Sequence, residues 1–108
     1  MRKENIIKIP KQFELLGQTI KVTWDNDKLN NEGLYGLVNC RKNLIQLTNE
    51  CVIDGERKKM PQDKINATFM HELTHFILHA MNNKLESNED FVCLFSELLY
   101  QFHKTAKY

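Results

Sequence analysis

The order of apolar and polar residues divides the chain into a strand-like first half and a helical second half. Residues 19–24 alternate as Thr-Ile-Lys-Val-Thr-Trp, the pattern of a half-buried strand, and the turn signal Gly17-Gln18 precedes them. The Asn- and Asp-rich segment 25–33 predicts a loop, and residues 49–60 predict a polar connection. In all, the first half predicts four short strands, at 13–16, 19–24, 34–40 and 44–48.

Two helices are predicted in the second half, over residues 61–82 and 88–104. The first begins with Pro61 at a plausible first helical position. Its apolar residues recur at helical spacing around most of the circumference, at Ile65, Phe69, Leu73, Phe76, Ile77 and Ala80. For the second helix, Ser87 is a suitable N-cap, with Asp90 three residues later. A stripe at helical spacing follows, at Phe91, Phe95, Leu98 and Phe102.

Strands followed by helices are typical of the α+β class. We therefore predict a small antiparallel sheet of three or four strands packed on two main helices. The chain has 108 residues, which suits a single domain, 1–108, that is strand-rich over 1–50 and helical over 61–104.

Composition and charge exclude several classes of function. The net charge is +1, and the only basic run is Arg57-Lys58-Lys59, so we expect no direct binding to nucleic acid. No stretch approaches the eighteen or so apolar residues of a membrane span, and residues 1–11 are too interrupted for a secretory signal. The three cysteines are odd in number, widely spaced and without a C-x-x-C pair. These features predict a cytoplasmic protein and leave its oligomeric state open.

Residues 71–75 read His-Glu-Leu-Thr-His within the first predicted helix. Two histidines four residues apart project from one helix face, so both imidazoles can reach a single cation. Glu72 lies on the same side and can hold a water against that cation. This H-E-x-x-H arrangement is typical of helix-borne zinc sites in metallopeptidases. The surrounding segment is apolar, and a bound dication would compensate the cost of burying the carboxylate there.

A catalytic zinc usually takes three protein ligands and leaves one position for water. We favour Glu89 as the third, because on the second helix it flanks the apolar stripe on a sparsely charged side, beside Val92, Ser96 and Tyr100. Glu86 is the main rival, with Asp90 four residues later as a partner for a histidine. Asp90 itself is the third acidic candidate, although capping explains it without a metal.

Other residues near the motif suggest weaker alternatives. Cys93 follows Glu89 by one turn and could close a structural zinc site with both histidines, although a packing role is the simpler interpretation. His79 lies some 80° around the helix from His71, which favours a hydrogen-bonding role over ligation. Tyr100 and His103 could approach the site from the second helix, where a donor to an oxyanion would be useful.

Residues 71–79, His-Glu-Leu-Thr-His-Phe-Ile-Leu-His, are followed by 89–101, Glu-Asp-Phe-Val-Cys-Leu-Phe-Ser-Glu-Leu-Leu-Tyr-Gln. Together these runs resemble the ImmA/IrrE-type metallopeptidases, in particular the minimal versions in phages and other mobile elements. The resemblance covers about residues 12–104. It implies a reduced zincin-like α+β fold, His71 and His75 as zinc ligands, Glu72 as general base and Glu89 as the acidic ligand. Characterised members include peptidases that act on transcriptional repressors encoded nearby, which implies a protein or peptide substrate.

The leading hypothesis is therefore a zinc-dependent endopeptidase in which Glu72 takes a proton from water and delivers it to the leaving amine. A strand ahead of the helix, at 44–48, is expected to align an extended substrate by edge pairing. The alternative is a non-catalytic domain that zinc stabilises for binding a protein partner. A further alternative is a degenerate peptidase fold that sequesters a repressor. The sequence does not identify the cleaved bond, the activating signal or the metal used in the cell.

Overall fold

A computed structural model describes residues 8–108 of the chain. Residues 1–7 of the predicted domain, with most of its interrupted apolar start, lie outside the described residues. The strands are β1 (Gln12–Leu15), β2 (Gln18–Trp24), β3 (Gly36–Asn39), β4 (Leu44–Leu47), β5 (Glu50–Ile53) and β6 (Glu56–Lys59). The helices are α1 (Asn26–Asn31), α2 (Gln62–Ala80) and α3 (Glu89–Thr105), with a 3₁₀ turn at Lys84–Ser87. The predicted α+β class is confirmed.

The larger sheet has the strand order β1-β2-β4-β3. β1 and β2 form the predicted hairpin, in which Leu15 pairs with Gln18. The two-residue turn is Leu16-Gly17, one residue earlier than predicted, and both φ angles are positive, 50° and 77°. Positive φ at both turn residues gives the strand twist that a tight hairpin needs, and glycine adopts it without strain.

The sheet is mixed, whereas the sequence pattern predicted an antiparallel one. β2 and β4 pair in parallel. After β2 the chain crosses to the sheet edge, forms β3 there, and turns back as β4 between β3 and β2. The crossing includes α1, in a segment predicted to be a loop. The Asp25 carboxylate caps this helix by accepting a hydrogen bond of 3.1 Å from the Lys28 amide. The Asn30 side-chain amide also donates to the carbonyl of Glu50 at 3.2 Å, which ties α1 to the following hairpin.

That hairpin is β5-β6, in the segment predicted to be a polar connection. Its turn, Asp54-Gly55, again has positive φ at both residues, 53° and 78°. The four residues of β6 are exposed, and Arg57 pairs with Asp27 at 2.6 Å. Charged residues therefore occupy a strand, which the weak hydrophobic pattern of this segment did not predict.

The core lies between the larger sheet and the two long helices. Alternate residues of β2 and β4 point toward α2, in agreement with the predicted alternation of β2. The fully buried residues of these strands are Ile20, Ile45 and Leu47. Their helical partners in the cluster are Phe69, Met70, Phe76 and Tyr100. Packing of this sheet face fixes the position of α2, from which the candidate site is built.

α3 packs against α2 with a different face from the predicted apolar stripe. Val92, Ser96 and Tyr100 are buried, whereas Leu98 and Phe102 are 58% and 57% exposed. The Tyr100 hydroxyl donates a 2.7 Å hydrogen bond to Asp63, near the start of α2. Close packing at small Ser96 and this hydrogen bond favour the buried orientation. Tyr100 therefore anchors the two helices to each other.

The helix ends differ slightly from those predicted. Pro61 is the residue before α2 rather than its first helical residue. α3 is capped by Asn88 and not by Ser87, and the Asn88 side chain accepts a 3.0 Å hydrogen bond from the Phe91 amide. Glu89 is consequently the first residue of the helix. No helix within residues 8–108 is long and apolar enough to cross a bilayer.

We predict that Val92→Ala lowers the free energy of unfolding by about 2 kcal/mol, because Val92 is completely buried and truncation leaves a cavity. Leu94→Ala, at a residue that is 60% exposed, should change it by less than about 0.5 kcal/mol. Urea denaturation of dilute protein measures both. Equal losses at the two positions would mean that α3 packs through another face.

Candidate metal centre

His71 and His75 lie one turn apart on α2, on the side that faces α3. Their ring centroids are 4.9 Å apart, and both side chains are partly buried. The helical spacing alone accounts for this pairing. α2 holds the two imidazoles in place because its opposite face is anchored in the core by Phe69 and Phe76.

Glu89 reaches both imidazoles from the start of α3. One of its carboxylate oxygens lies 2.8 Å from His75 Nε2, and the other lies 3.3 Å from His71 Nε2. Two ligands of a tetrahedral zinc are about 3.3 Å apart when each bond is close to 2 Å. These two nitrogen–oxygen distances are near that spacing, and two imidazoles with one carboxylate form a donor set suited to zinc.

A backbone contact fixes the orientation of His75. Its Nδ1–H donates to the carbonyl of Glu86 at 2.9 Å, in the 3₁₀ turn between the long helices. This contact turns Nε2 toward Glu89, the orientation that ligation needs. The Glu86 carboxylate is engaged elsewhere, because it lies 2.9 Å from Nδ1 of His79. Glu86 thus contacts the site through its main chain, while its side chain pairs with His79.

His71 has a thiol as its second neighbour. The sulfur of Cys93 lies 3.8 Å from His71 Nδ1, on the side of the ring away from Nε2. Ligand atoms of His71, Glu89 and Cys93 lie within 4.8 Å of one another, so these three could also hold an ion. Burial, together with the carboxylates of Glu89, Glu97 and Asp90, raises the pKa of the Cys93 thiol. Because a metal binds the thiolate, this environment disfavours ligation by Cys93.

Glu72 is buried between α2 and strand β3. The closest approach is at Gly36, where a Cβ atom would lie 2.9 Å from the Glu72 Cγ atom and 2.8 Å from the Thr68 Cγ2 atom. Only glycine lets the strand pass this close to the helix. Burial raises the pKa of Glu72 to about 7, while His75 lowers it and Glu89 raises it. A carboxyl group with that pKa can both accept and donate a proton near neutral pH.

The environment of His71 favours its neutral form. Burial lowers the pKa of the imidazole, and Glu89 opposes this effect. A neutral imidazole is the form that binds a metal.

These side chains line an open cleft. One part, of about 510 Å³, lies toward Tyr35 and Ser96, and a second part, of about 480 Å³, lies toward Val38 and Ser87. Both parts are lined by Gly36, Glu72, His75 and Glu89. The histidines and Glu89 thus lie at the middle of a groove, with β3 along one wall and α3 and the 3₁₀ turn along the other.

The structure brings together the four residues singled out in the sequence, His71, Glu72, His75 and Glu89. Among the rival acids, Glu86 turns its carboxylate to His79, and Asp90 is exposed one residue further around α3. The Tyr100 hydroxyl donates to Asp63, and the His103 ring meets the Phe102 ring edge to face.

Sequence reasoning missed the residues of the opposite wall. Gly36 carried a usable signal, since a glycine inside a predicted strand often marks a close backbone approach. Tyr35 and Lys64, which lie in a cation–π contact of 4.1 Å at one end of the groove, carried none. The expected substrate strand 44–48 is also wrong in position, because β4 lies inside the sheet and β3 forms its edge.

Comparison of the chain with protein-family profiles, with curated proteins and with solved structures finds no match in any of the three. The resemblance to ImmA/IrrE-type metallopeptidases rests on the residues quoted from the sequence.

The raised pKa of Glu72 predicts a pH-dependent stability for the metal-free protein. The folded chain retains a proton that the unfolded chain loses above its ordinary value of 4.5, so stability falls as the pH rises from 4.5 to about 7. Glu72→Gln lacks this titration. In the presence of a chelator, the free energy of unfolding of the variant should exceed that of the unaltered protein by up to about 3 kcal/mol near pH 8. This difference should disappear near pH 4. Urea denaturation across this pH range is the measurement, and a pH-independent difference would contradict the assignment.

Proposed function

We propose that this protein is a zinc-dependent endopeptidase, with His71, His75 and Glu89 as metal ligands and Glu72 as the catalytic base. The observation that carries the proposal is the convergence of two imidazole Nε2 atoms on one carboxylate, at 2.8 and 3.3 Å, in an open groove beside a buried glutamate. The three cysteines are free, which agrees with a reducing, cytoplasmic location.

Each ligand has a support that favours metal binding over a simple ion pair. The Glu86 carbonyl holds His75 Nδ1 so that Nε2 faces Glu89, and burial lowers the pKa of His71, which favours its neutral form. Glu89 stands at the first position of α3, where the helix dipole stabilises its negative charge. When bound, zinc supplies a Lewis acid that polarises a carbonyl and lowers the pKa of water.

Glu72 has the position and the proton affinity for general acid–base catalysis. It lies between His71 and His75 along α2 and lines the same groove. In this position it can take a proton from the attacking water and return it to the departing amine, and its burial raises the pKa of the carboxyl group. The groove admits water and peptide together, because it is open on both sides of the carboxylate.

The substrate that suits this groove is an extended peptide. β3 is the edge strand of the larger sheet and runs along the groove wall, so its outer backbone groups can pair with an added strand. Gly36 brings this edge against Glu72, which aligns the paired peptide with the catalytic base. Such pairing reads the backbone more than the side chains and suits an exposed segment of a regulatory protein. A transcriptional repressor, as the family resemblance implies, belongs to this class.

A second candidate function follows from the cluster of His71, Glu89 and Cys93, whose ligand atoms lie within 4.8 Å of one another. A zinc ion held with a thiolate would close the site and stabilise a small domain for binding a protein partner. Both arrangements include His71 and Glu89, and they differ in whether His75 or the Cys93 thiolate is the third protein ligand.

Substitution of the acidic residues tests which carboxylate binds zinc. We expect Glu89→Gln to weaken zinc binding at least about tenfold, because the carboxylate is a direct ligand. Asp90→Asn and Glu86→Gln remove neighbouring carboxylates and should leave the affinity within about threefold, since neither side chain faces Nε2. Titration of chelator-treated protein with zinc measures all three.

Cys93→Ser separates the catalytic from the structural site in the same titration. The peptidase arrangement predicts nearly unchanged affinity and zinc K-edge spectra fitted by nitrogen and oxygen neighbours. A large loss of affinity, with a sulfur neighbour at about 2.3 Å in the unaltered protein, would support the structural site instead.

The catalytic role of Glu72 predicts that Glu72→Gln binds one zinc ion yet cleaves at least about a hundredfold more slowly. The probe is a mixed peptide library derived from digested cell protein, with new termini identified by mass spectrometry. Asp90→Asn serves as the control and should retain cleavage. If the glutamine variant, loaded with zinc, cleaved as fast as the unaltered protein, the proposed mechanism would be wrong.

A further inference from the structure

One end of the groove carries a lysine whose ammonium group has no acidic partner. Lys64 lines the part of the groove that lies toward Tyr35 and Ser96, and its Nζ atom is 4.1 Å from the centre of the Tyr35 ring. Among the ion pairs within residues 8–108, none involves Lys64. The aromatic ring covers one side of the ammonium group, which has three N–H donors. Its remaining donors can therefore bind an anion that enters the groove.

The other charges of the groove limit where such an anion can bind. Within the described part of the chain, Lys64 is the one lysine or arginine that lines the groove. The wall formed by α3 and the 3₁₀ turn carries the carboxylates of Glu86, Glu89 and Glu97. Because like charges repel, these acids disfavour a substrate carboxylate along that wall. An acidic group of a bound peptide is therefore best accommodated at the end where Lys64 lies.

The position of Lys64 on α2 sets its distance from the proposed metal centre. Lys64 and His71 are seven residues apart, or about two turns, so they share one face of the helix and lie about 10 Å apart along its axis. An extended peptide rises about 3.3 Å per residue. A peptide paired with β3 would thus place a residue about three positions from the cleaved bond beside Lys64. Since Lys64 lies toward Tyr35, this residue is on one side of that bond only.

We propose that Lys64, supported by the ring of Tyr35, is a specificity-determining residue that binds a substrate carboxylate about three residues from the cleaved bond. The inference rests on the proposed peptidase function and names its substrate class, an extended peptide with an acidic side chain or a C-terminal carboxylate at that distance. Both sources present the same group to the ammonium. Lys64 and Tyr35 are exposed to solvent, so we expect a preference of about three- to fivefold and not an absolute requirement.

The test uses the zinc-loaded full-length protein and two libraries of randomised decapeptides, one with free and one with amidated C termini. New termini identified by mass spectrometry give the residue preference at each position around the cut bonds. The unaltered protein should enrich Asp and Glu at least about threefold at one position, on one side of the cut. Enrichment within the amidated library assigns the carboxylate to a side chain. Cuts that lie at a fixed distance from free C termini, and are absent from the amidated library, assign it to the terminus.

Substitutions at the lysine and its aromatic support test the assignment directly. Lys64→Glu reverses the charge and should enrich Lys and Arg at the same position of the peptide. Tyr35→Phe keeps the ring and should keep the acidic preference, whereas Tyr35→Ala should reduce it. Lys21→Glu is the matched control, because Lys21 is exposed on β2 between the buried residues Ile20 and Val22 and so points away from α2. Its preference should equal that of the unaltered protein, and circular dichroism verifies that each variant folds.

Failure of this inference and failure of the peptidase proposal give different results. Zinc-dependent cleavage without an acidic preference, or with a preference that Lys64→Glu leaves unchanged, would overturn the role of Lys64 alone. An equal change in Lys21→Glu and Lys64→Glu would also overturn it, because the effect would then reflect net charge. The absence of any zinc-dependent cleavage in either library would overturn the peptidase proposal, and the role of Lys64 with it.

Discussion

The packing of α3 against α2 is the contact on which the candidate site depends. Glu89 is the first residue of α3, so the rotation of this helix about its axis decides which acid meets the two histidines. Burial of Val92 and Ser96, and the bond from Tyr100 to Asp63, fix that rotation. A turn of about 100° would present Asp90 in place of Glu89. A few apolar and hydroxyl contacts along α3 therefore select the acid that faces the histidines.

Strand β3 links the environment of Glu72 to the shape of the groove. Gly36 allows the strand to pass close to the Glu72 side chain, since a Cβ atom at this position would lie only 2.9 Å from the Glu72 Cγ atom. This close approach contributes to the burial that raises the pKa of the carboxyl group. The same strand is the outer edge of the sheet. Proton affinity at Glu72 and access for an extended chain thus depend on one backbone contact.

The sequence predicted the parts of the structure that depend on local spacing. Two histidines four residues apart on a strongly apolar helix predict their own proximity, and Glu89 was favoured from the sparsely charged side of the second helix. Local pattern did not predict the parallel pairing of β2 with β4, because that pairing depends on α1 and its cap at Asp25. The buried face of α3 was also not predictable from hydrophobicity. Ser96 is buried and Leu98 is exposed, because the fit to α2 outweighs apolar area.

Because α3 buries its less apolar side, it contributes to the groove and also exposes an apolar surface. Glu89 and Leu98 are nine residues apart, which places them about 180° apart around the helix axis. A helix whose most apolar side packed inward would have turned Glu89 away from the histidines. By burying the less apolar side, the fold directs the acid into the groove and leaves Leu98 and Phe102 exposed.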